Sequence, residues 1–130
     1  MRNILLLVSF IAVVATGCAS TETVKLAQGQ GTKRVYAYSF DTVYKASLSA
    51  AAKHKLDIVE SNKETKKIIL SHGTTWLSWG EKIAIFFIPQ TNTSTEVEIV
   101  SKPVMSPLNF PPEWEKILLD QIGEELHMNN

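Results

Sequence analysis

The sequence begins with an apolar run that is too short to cross a bilayer, and this run decides which residues can belong to a folded domain. After Arg2 come 12 residues without a charge, Ile4–Ala15. As a helix the run would measure about 18 Å, against about 30 Å for the hydrocarbon core of a membrane. A short basic start and an apolar run of this length are typical of a secretory signal peptide. We therefore expect residues 1–17 to be removed from the mature protein.

Cys18 is the only cysteine in the sequence, and it follows the small residues Ala15, Thr16 and Gly17. This segment resembles the lipobox of bacterial lipoproteins. The resemblance implies that the Cys18 thiol receives a diacylglycerol, that a peptidase cuts between Gly17 and Cys18, and that acyl chains such as palmitate anchor the protein. Since Ala19 rather than an aspartate follows, it also implies an outer-membrane location facing the periplasm. The alternative is an ordinary signal peptide with a cysteine near its cut.

The charge balance and the cysteine count limit what the mature chain can do. Lys plus Arg and Asp plus Glu number 13 each, and removing Arg2 with residues 1–17 leaves 12 against 13. Such a chain has no basic field for nucleic acid. One cysteine forms no internal disulfide, so the domain depends on its own hydrophobic core. We expect residues 18–32, polar and rich in Gly and Gln, to be a lipidated flexible tether, and residues 33–130 to be a single domain.

Hydrophobic periodicity predicts an α+β fold with the element order β-α-β-β-β-β-α. Strands are predicted at 33–39, 56–60, 66–72, 81–88 and 95–101, and helices at 40–55 and from 112 onward. A mostly antiparallel sheet of about five strands with both helices on one face would bury their apolar stripes. The run 81–88 is the most apolar and is predicted to be central. In the last strand, Val97 and Ile99 should face inward, and Glu96 and Glu98 should form a solvated face.

The order of these segments is similar to that of a known class of domain. Phe40-Asp41-x-Val43-Tyr44 opens the first helix, a charged hairpin precedes Ile68-Ile69, and Glu-Lys-Ile and Glu-Val-Glu-Ile strands lead to a terminal amphipathic helix. Over residues 33–128 this resembles the helix-grip-like domains of small Gram-negative envelope lipoproteins such as BamC. BamC-like proteins carry two such domains after a long unstructured segment, whereas this chain has one domain after a short one.

The sequence offers no pattern of a catalytic or metal site. His54, His72 and His127 have no second histidine or carboxylate at metal-ligand spacing on one helix face, so we expect them to be solvent-facing or casually hydrogen-bonded. There is no Gly-x-Ser-x-Gly, no phosphate-binding glycine loop and no dinucleotide fingerprint. We therefore expect no cofactor, no metal and no enzymatic activity.

Two loops are candidates for contact with a partner. Trp76, Leu77 and Trp79 lie in a short glycine-flanked segment, and tryptophans in such loops supply large apolar area at low entropy cost. The alternative is that they fold back over the core. The second loop, 107–112, is rich in proline, which could equally stiffen the approach to the last helix.

The function that these features favour is a non-catalytic, membrane-anchored envelope lipoprotein that binds another envelope protein. A ligand-binding module that grips an apolar or cell-wall-derived small molecule is the alternative, and a hydrolase comes third. A cavity of several hundred Å³ under the helices would favour the ligand module. A contact between a histidine and a carboxylate in a cleft would favour the enzyme.

Overall fold

An open antiparallel sheet organises the chain in a computed structural model, which describes residues 20–74, 80–104 and 112–129. The elements are α1 (Thr21–Lys25), β1 (Thr32–Tyr36), α2 (Phe40–Lys53), β2 (Asp57–Asn62), β3 (Lys67–His72), β4 (Glu81–Thr91), β5 (Ser94–Pro103) and α3 (Trp114–Met128). The strands lie in the sheet in the order β1-β5-β4-β3-β2, so the apolar β4 is central, as predicted. The α+β prediction with its five strands and two long helices is confirmed, and a short additional helix, α1, precedes β1.

One face of the sheet, the helix face, is covered by α2 and α3. Alternate residues of the strands point to this side and pack against the apolar stripes of both helices. The buried side chains that fill the layer include Val43, Tyr44, Ile68, Leu70, Ile83, Ile85, Phe87, Val97, Ile99, Trp114, Leu118, Leu119, Ile122 and Leu126. The Tyr36 hydroxyl donates a hydrogen bond to the Leu119 carbonyl at 2.6 Å. Burial raises the pKa of Tyr36 to about 12.

The ends of α2 are set by local hydrogen bonds. The Ser39 side chain accepts from the Thr42 amide at the start of the helix. At the other end, Lys55 has a φ of 53° and its amide bonds to Ala52, while the Leu56 amide bonds to Ala51. This is a Schellman ending with lysine where glycine is usual. It stops the helix at His54, next to the start of α3.

Residues 20–31 cover the opposite face of the sheet and are called the strap, and that side is called the strap face. Val24 and Ala27 are buried there, against Ile69, Ala84, Phe86 and Val100. Ser20 caps α1 through a reciprocal pair of hydrogen bonds with Thr23. The prediction of a flexible tether is wrong for these residues, because two small apolar side chains in a polar segment were enough to dock it.

A buried carboxylate fixes the C-terminal end of the strap. Glu98 has no exposed surface and accepts hydrogen bonds from the Gly29 amide at 2.7 and 2.9 Å and from the Gly31 amide at 3.1 Å. A Cβ at Gly31 would lie 2.1 Å from the Ile99 carbonyl oxygen, so only glycine fits there. The predicted solvated position of Glu98 is therefore wrong, since the strap covers it.

No helix in the described parts of the chain is long and apolar enough to span a membrane.

Candidate functional site

A histidine and a fully buried glutamate are paired at one end of the sheet. His72 is the last residue of β3 and Glu81 the first of β4, and the two stand opposite each other in the sheet register. The His72 Nδ1 atom lies 2.6 Å from Glu81 Oε2. Glu81 has no exposed surface, whereas about a fifth of the His72 side chain is exposed. The pair therefore presents one orientated imidazole ring toward the surface.

Trp114 joins this pair to the helix layer. Its indole N–H donates to Glu81 Oε2 at 3.3 Å. The His72 ring lies 4.9 Å from the Trp114 ring, and the His54 ring approaches the same tryptophan edge-on at 5.9 Å. The His54 Nε2 atom is buried and has no hydrogen-bond partner in the described part of the chain. We call His54, His72, Glu81 and Trp114 the His–Glu–Trp cluster.

The described ends of both candidate contact loops meet at this end of the sheet. The Val104 amide donates to the Gly80 carbonyl at 2.9 Å. Gly80 has a φ of 100°, and a Cβ there would lie 2.7 Å from the His72 carbonyl oxygen. Only glycine satisfies both conditions. Gly80, where one segment ends, and Val104, after which the other begins, therefore lie side by side.

A cleft of about 430 Å³ opens next to the cluster, at the start of α3. Its wall is formed by Thr32, Ser101, Pro103, Pro112, Glu113, Trp114, Glu115 and Lys116. Glu115 spans the wall, because its carboxylate accepts from the Ser101 amide at 3.2 Å and from the Thr32 hydroxyl at 2.5 Å. The wall thus combines apolar proline and tryptophan surface with charged side chains. The cleft is beside the helix layer, whereas the ligand-module prediction placed a cavity under it.

The chemistry open to the cluster is that of an orientated imidazole. A carboxylate on one ring nitrogen fixes the tautomer and leaves the other nitrogen to act, as in nucleophile–base pairs and histidine metal ligands. In the described residues the His72 side chain has its only hydrogen bond to Glu81. The same residues contain no group of three or more His, Cys, Asp or Glu that could hold a metal ion.

The structure brings some of the predicted site residues together and does not describe others. Gly17, Cys18, Trp76, Leu77 and Trp79 lie outside the described residues, as does the 107–111 part of the second loop. His127 is exposed, as expected. His72 is partly exposed and hydrogen-bonded, but its partner is a fully buried carboxylate, and His54 has a buried Nε2 atom.

Sequence reasoning missed Glu81, although the sequence holds a signal for it. Ile83 and Ile85 alternate with Glu81 along β4, so the carboxylate must share the buried face with them. A buried carboxylate requires hydrogen-bond donors. In the structure this requirement is met by His72, which ends the preceding strand, and by the Trp114 indole.

Comparison with known proteins gives a family match. A family model described as a protein of unknown function, DUF3568, matches residues 2–100, from the N-terminal apolar run into β5. No curated protein matches the chain.

Proposed function

This chain belongs to the DUF3568 family of proteins of unknown function, and we propose that it is a lipid-anchored envelope protein that binds another envelope protein without catalysis. In this proposal Cys18 carries the lipid, the outer membrane holds it, and the domain faces the periplasm. The partner is bound at the end of the sheet that carries the His–Glu–Trp cluster.

The position of the strap supports the lipid anchor. The docked strap begins at Ser20, only two residues after Cys18. Two residues of extended chain reach about 7 Å. Acyl chains on Cys18 would therefore hold the folded domain directly at the bilayer surface, with no long linker between them.

The observation that carries partner binding is the contact between Gly80 and Val104, the described residues that flank the two candidate contact segments. Trp76, Leu77 and Trp79 lie in the segment that ends at Gly80, and the proline-rich segment follows Val104. The hydrogen bond between Gly80 and Val104 places the described residues next to these two segments side by side at one end of the sheet. Two segments rich in tryptophan and proline that leave from one place can contact the same partner.

The packing of the helix face favours this function over the gripping of a ligand, because side chains fill the space between the sheet and the helices. A small-molecule function is favoured by two clefts, one of about 430 Å³ beside Trp114 and one of about 460 Å³ between α2 and the end of α3. Both volumes lie at the lower end of the range for small-molecule sites. The contact between His72 and Glu81 near the first cleft is the one feature that favours an enzyme among the described residues.

The test uses the native host with the wild type, Cys18→Ser, and a Trp76→Ala/Trp79→Ala double variant, each with a photo-crosslinking residue at Thr74. We expect the wild type to start at an acylated Cys18 by intact mass, to fractionate with membranes and to crosslink to one envelope protein. Cys18→Ser should lose the lipid and the membrane. The double variant should stay in the membrane and lose the crosslink.

The matched control carries the crosslinking residue at Lys45, an exposed position on α2. It should not trap the same protein. An unmodified, soluble wild type contradicts the anchor. A crosslink at Thr74 that the tryptophan variants leave unchanged contradicts the contact residues, and the absence of any crosslinked protein contradicts partner binding.

A further inference from the structure

The apolar side chains of the strap point in two directions. Val24 and Ala27 point into the sheet and are buried, whereas Leu26, the residue that caps α1, leaves 82% of its surface exposed. The Leu26 amide is held by the Glu22 carbonyl, so its place in the turn is fixed. The strap therefore holds one large aliphatic side chain away from the sheet on the strap face.

The described part of the chain also begins on this face. Ser20 is hydrogen-bonded at the start of α1, and Val24, one turn later, packs on the sheet. Cys18 lies about 7 Å of extended chain, at most, from Ser20. The helices α2 and α3 lie on the other side of the sheet. A lipid on Cys18 is therefore attached on the strap side.

We infer that the strap face lies against the membrane surface, with Leu26 in contact with lipid. The inference rests on the lipid anchor proposed above. The acyl chains fix which face is close to the bilayer, and an exposed leucine on that face gains by entering the interface between headgroups and acyl chains. The helix layer and the exposed Met128 on α3 then point away from the bilayer.

The remainder of the strap face suits an interface of mixed polarity. Val35 and Ile88 are partly exposed there, on either side of Glu96 in the sheet register. Four lysines also point to this side, and none of them has an ion-pair partner among the residues that the structure describes. They are Lys33, Lys67, Lys82 and Lys102, of which Lys82 donates to the Ser71 hydroxyl and Lys102 to the Gln30 side chain. Long lysine side chains can cover apolar surface while their ammonium groups reach anionic headgroups.

The test measures contact with lipid at one position on each side of the sheet. Because Cys18 is the only cysteine and is acylated in the mature protein, Leu26→Cys and Met128→Cys each introduce a single free thiol. Both positions carry an exposed apolar side chain, 82% and 63% exposed, so both accept the same fluorophore. The full-length lipidated variants are placed in vesicles of phosphatidylethanolamine and phosphatidylglycerol that contain a nitroxide-labelled lipid.

We expect the nitroxide to quench the fluorophore at position 26 several-fold more strongly than the fluorophore at position 128. Equal quenching at the two positions, on a protein whose mass shows the lipid on Cys18, overturns the orientation and leaves the anchor intact. Stronger quenching at position 128 overturns it as well, and leaves the strap face for a protein partner. A mass without lipid overturns the proposed anchor, and the orientation with it.

Discussion

The two faces of the sheet are covered by different means. On the helix face, two helices of 14 and 15 residues bury a continuous set of large side chains. On the strap face, a helix of five residues contributes Val24, the turn that follows it contributes Ala27, and the Glu98 carboxylate holds two backbone amides. A five-residue helix is not stable by itself. The helix face should therefore determine global stability, whereas the strap should open locally while the sheet stays folded.

The largest expected effect is a difference in unfolding free energy when the same substitution, leucine to alanine, is made on each side of the sheet. Leu118 is fully buried under the helix layer, and Leu26 is 82% exposed. Leu118→Ala should lower the free energy of unfolding by about 2–5 kcal/mol, because it removes buried methyl groups and leaves a cavity. Leu26→Ala should change it by no more than about 0.5 kcal/mol. Urea denaturation of the two variants measures both values.

Contact with lipid should rank these two variants in the opposite order from stability. Leu26→Ala should weaken contact of the strap face with lipid even though the domain is as stable as the wild type. A loss of several kcal/mol in Leu26→Ala would show that Leu26 is packed in the fold, and would contradict its assignment to the membrane side.

The next effect concerns the contact between β1 and α3 on the helix face. The pKa of Tyr36 is raised from 10.0 to about 12, because the buried hydroxyl resists ionisation. Between these values the unfolded chain loses the Tyr36 proton while the folded chain keeps it. The stabilisation is therefore complete below pH 10 and is lost as the pH rises toward 12. The two pKa units correspond to roughly 3 kcal/mol.

Tyr36→Phe is the control, because phenylalanine has no proton to lose. The difference in unfolding free energy between the wild type and Tyr36→Phe should shrink between pH 10 and 12, as measured by urea denaturation at each pH. A difference that is independent of pH would show that Tyr36 ionises equally in both states. It would show that burial does not raise the pKa of Tyr36.

The helix face could be predicted from the sequence because its signals are periodic. The apolar residues of β4 form an unbroken run, typical of a central strand, and those of α3 recur at helical spacing, so the order of elements and the central strand follow from the pattern. The helix predicted from residue 40 begins there in the structure, with Ser39 as its cap. These signals depend only on residues close together in the chain.

The strap and the cluster depend on contacts between residues that are distant in the sequence. Glu98 and Gly29 are 69 residues apart, and Trp114 and Glu81 are 33 apart. A glutamate in an alternating strand is normally a solvated position, and a glycine in a polar segment normally a flexible one. Only the partner shows that each is buried, and the sequence alone does not identify the partner.

The smallest expected effect tests whether the strap is held by its carboxylate. In Glu98→Gln, one of the two acceptor oxygens is replaced by an NH₂ group, so a single oxygen remains for the Gly29 and Gly31 amides and a donor faces them. The loss of one buried acceptor should cost about 1–3 kcal/mol, confined to the strap. Hydrogen exchange should then show faster exchange of these two amides and unchanged protection in β4.

Glu96→Gln, on the same strand, is the matched control, because the one side-chain hydrogen bond of Glu96 among the described residues comes from Gln90. It should alter neither readout. If Glu98→Gln instead reduced protection in β4 as much as in the strap, the two faces would open together, and the strap would be part of the cooperative core and not a local cover.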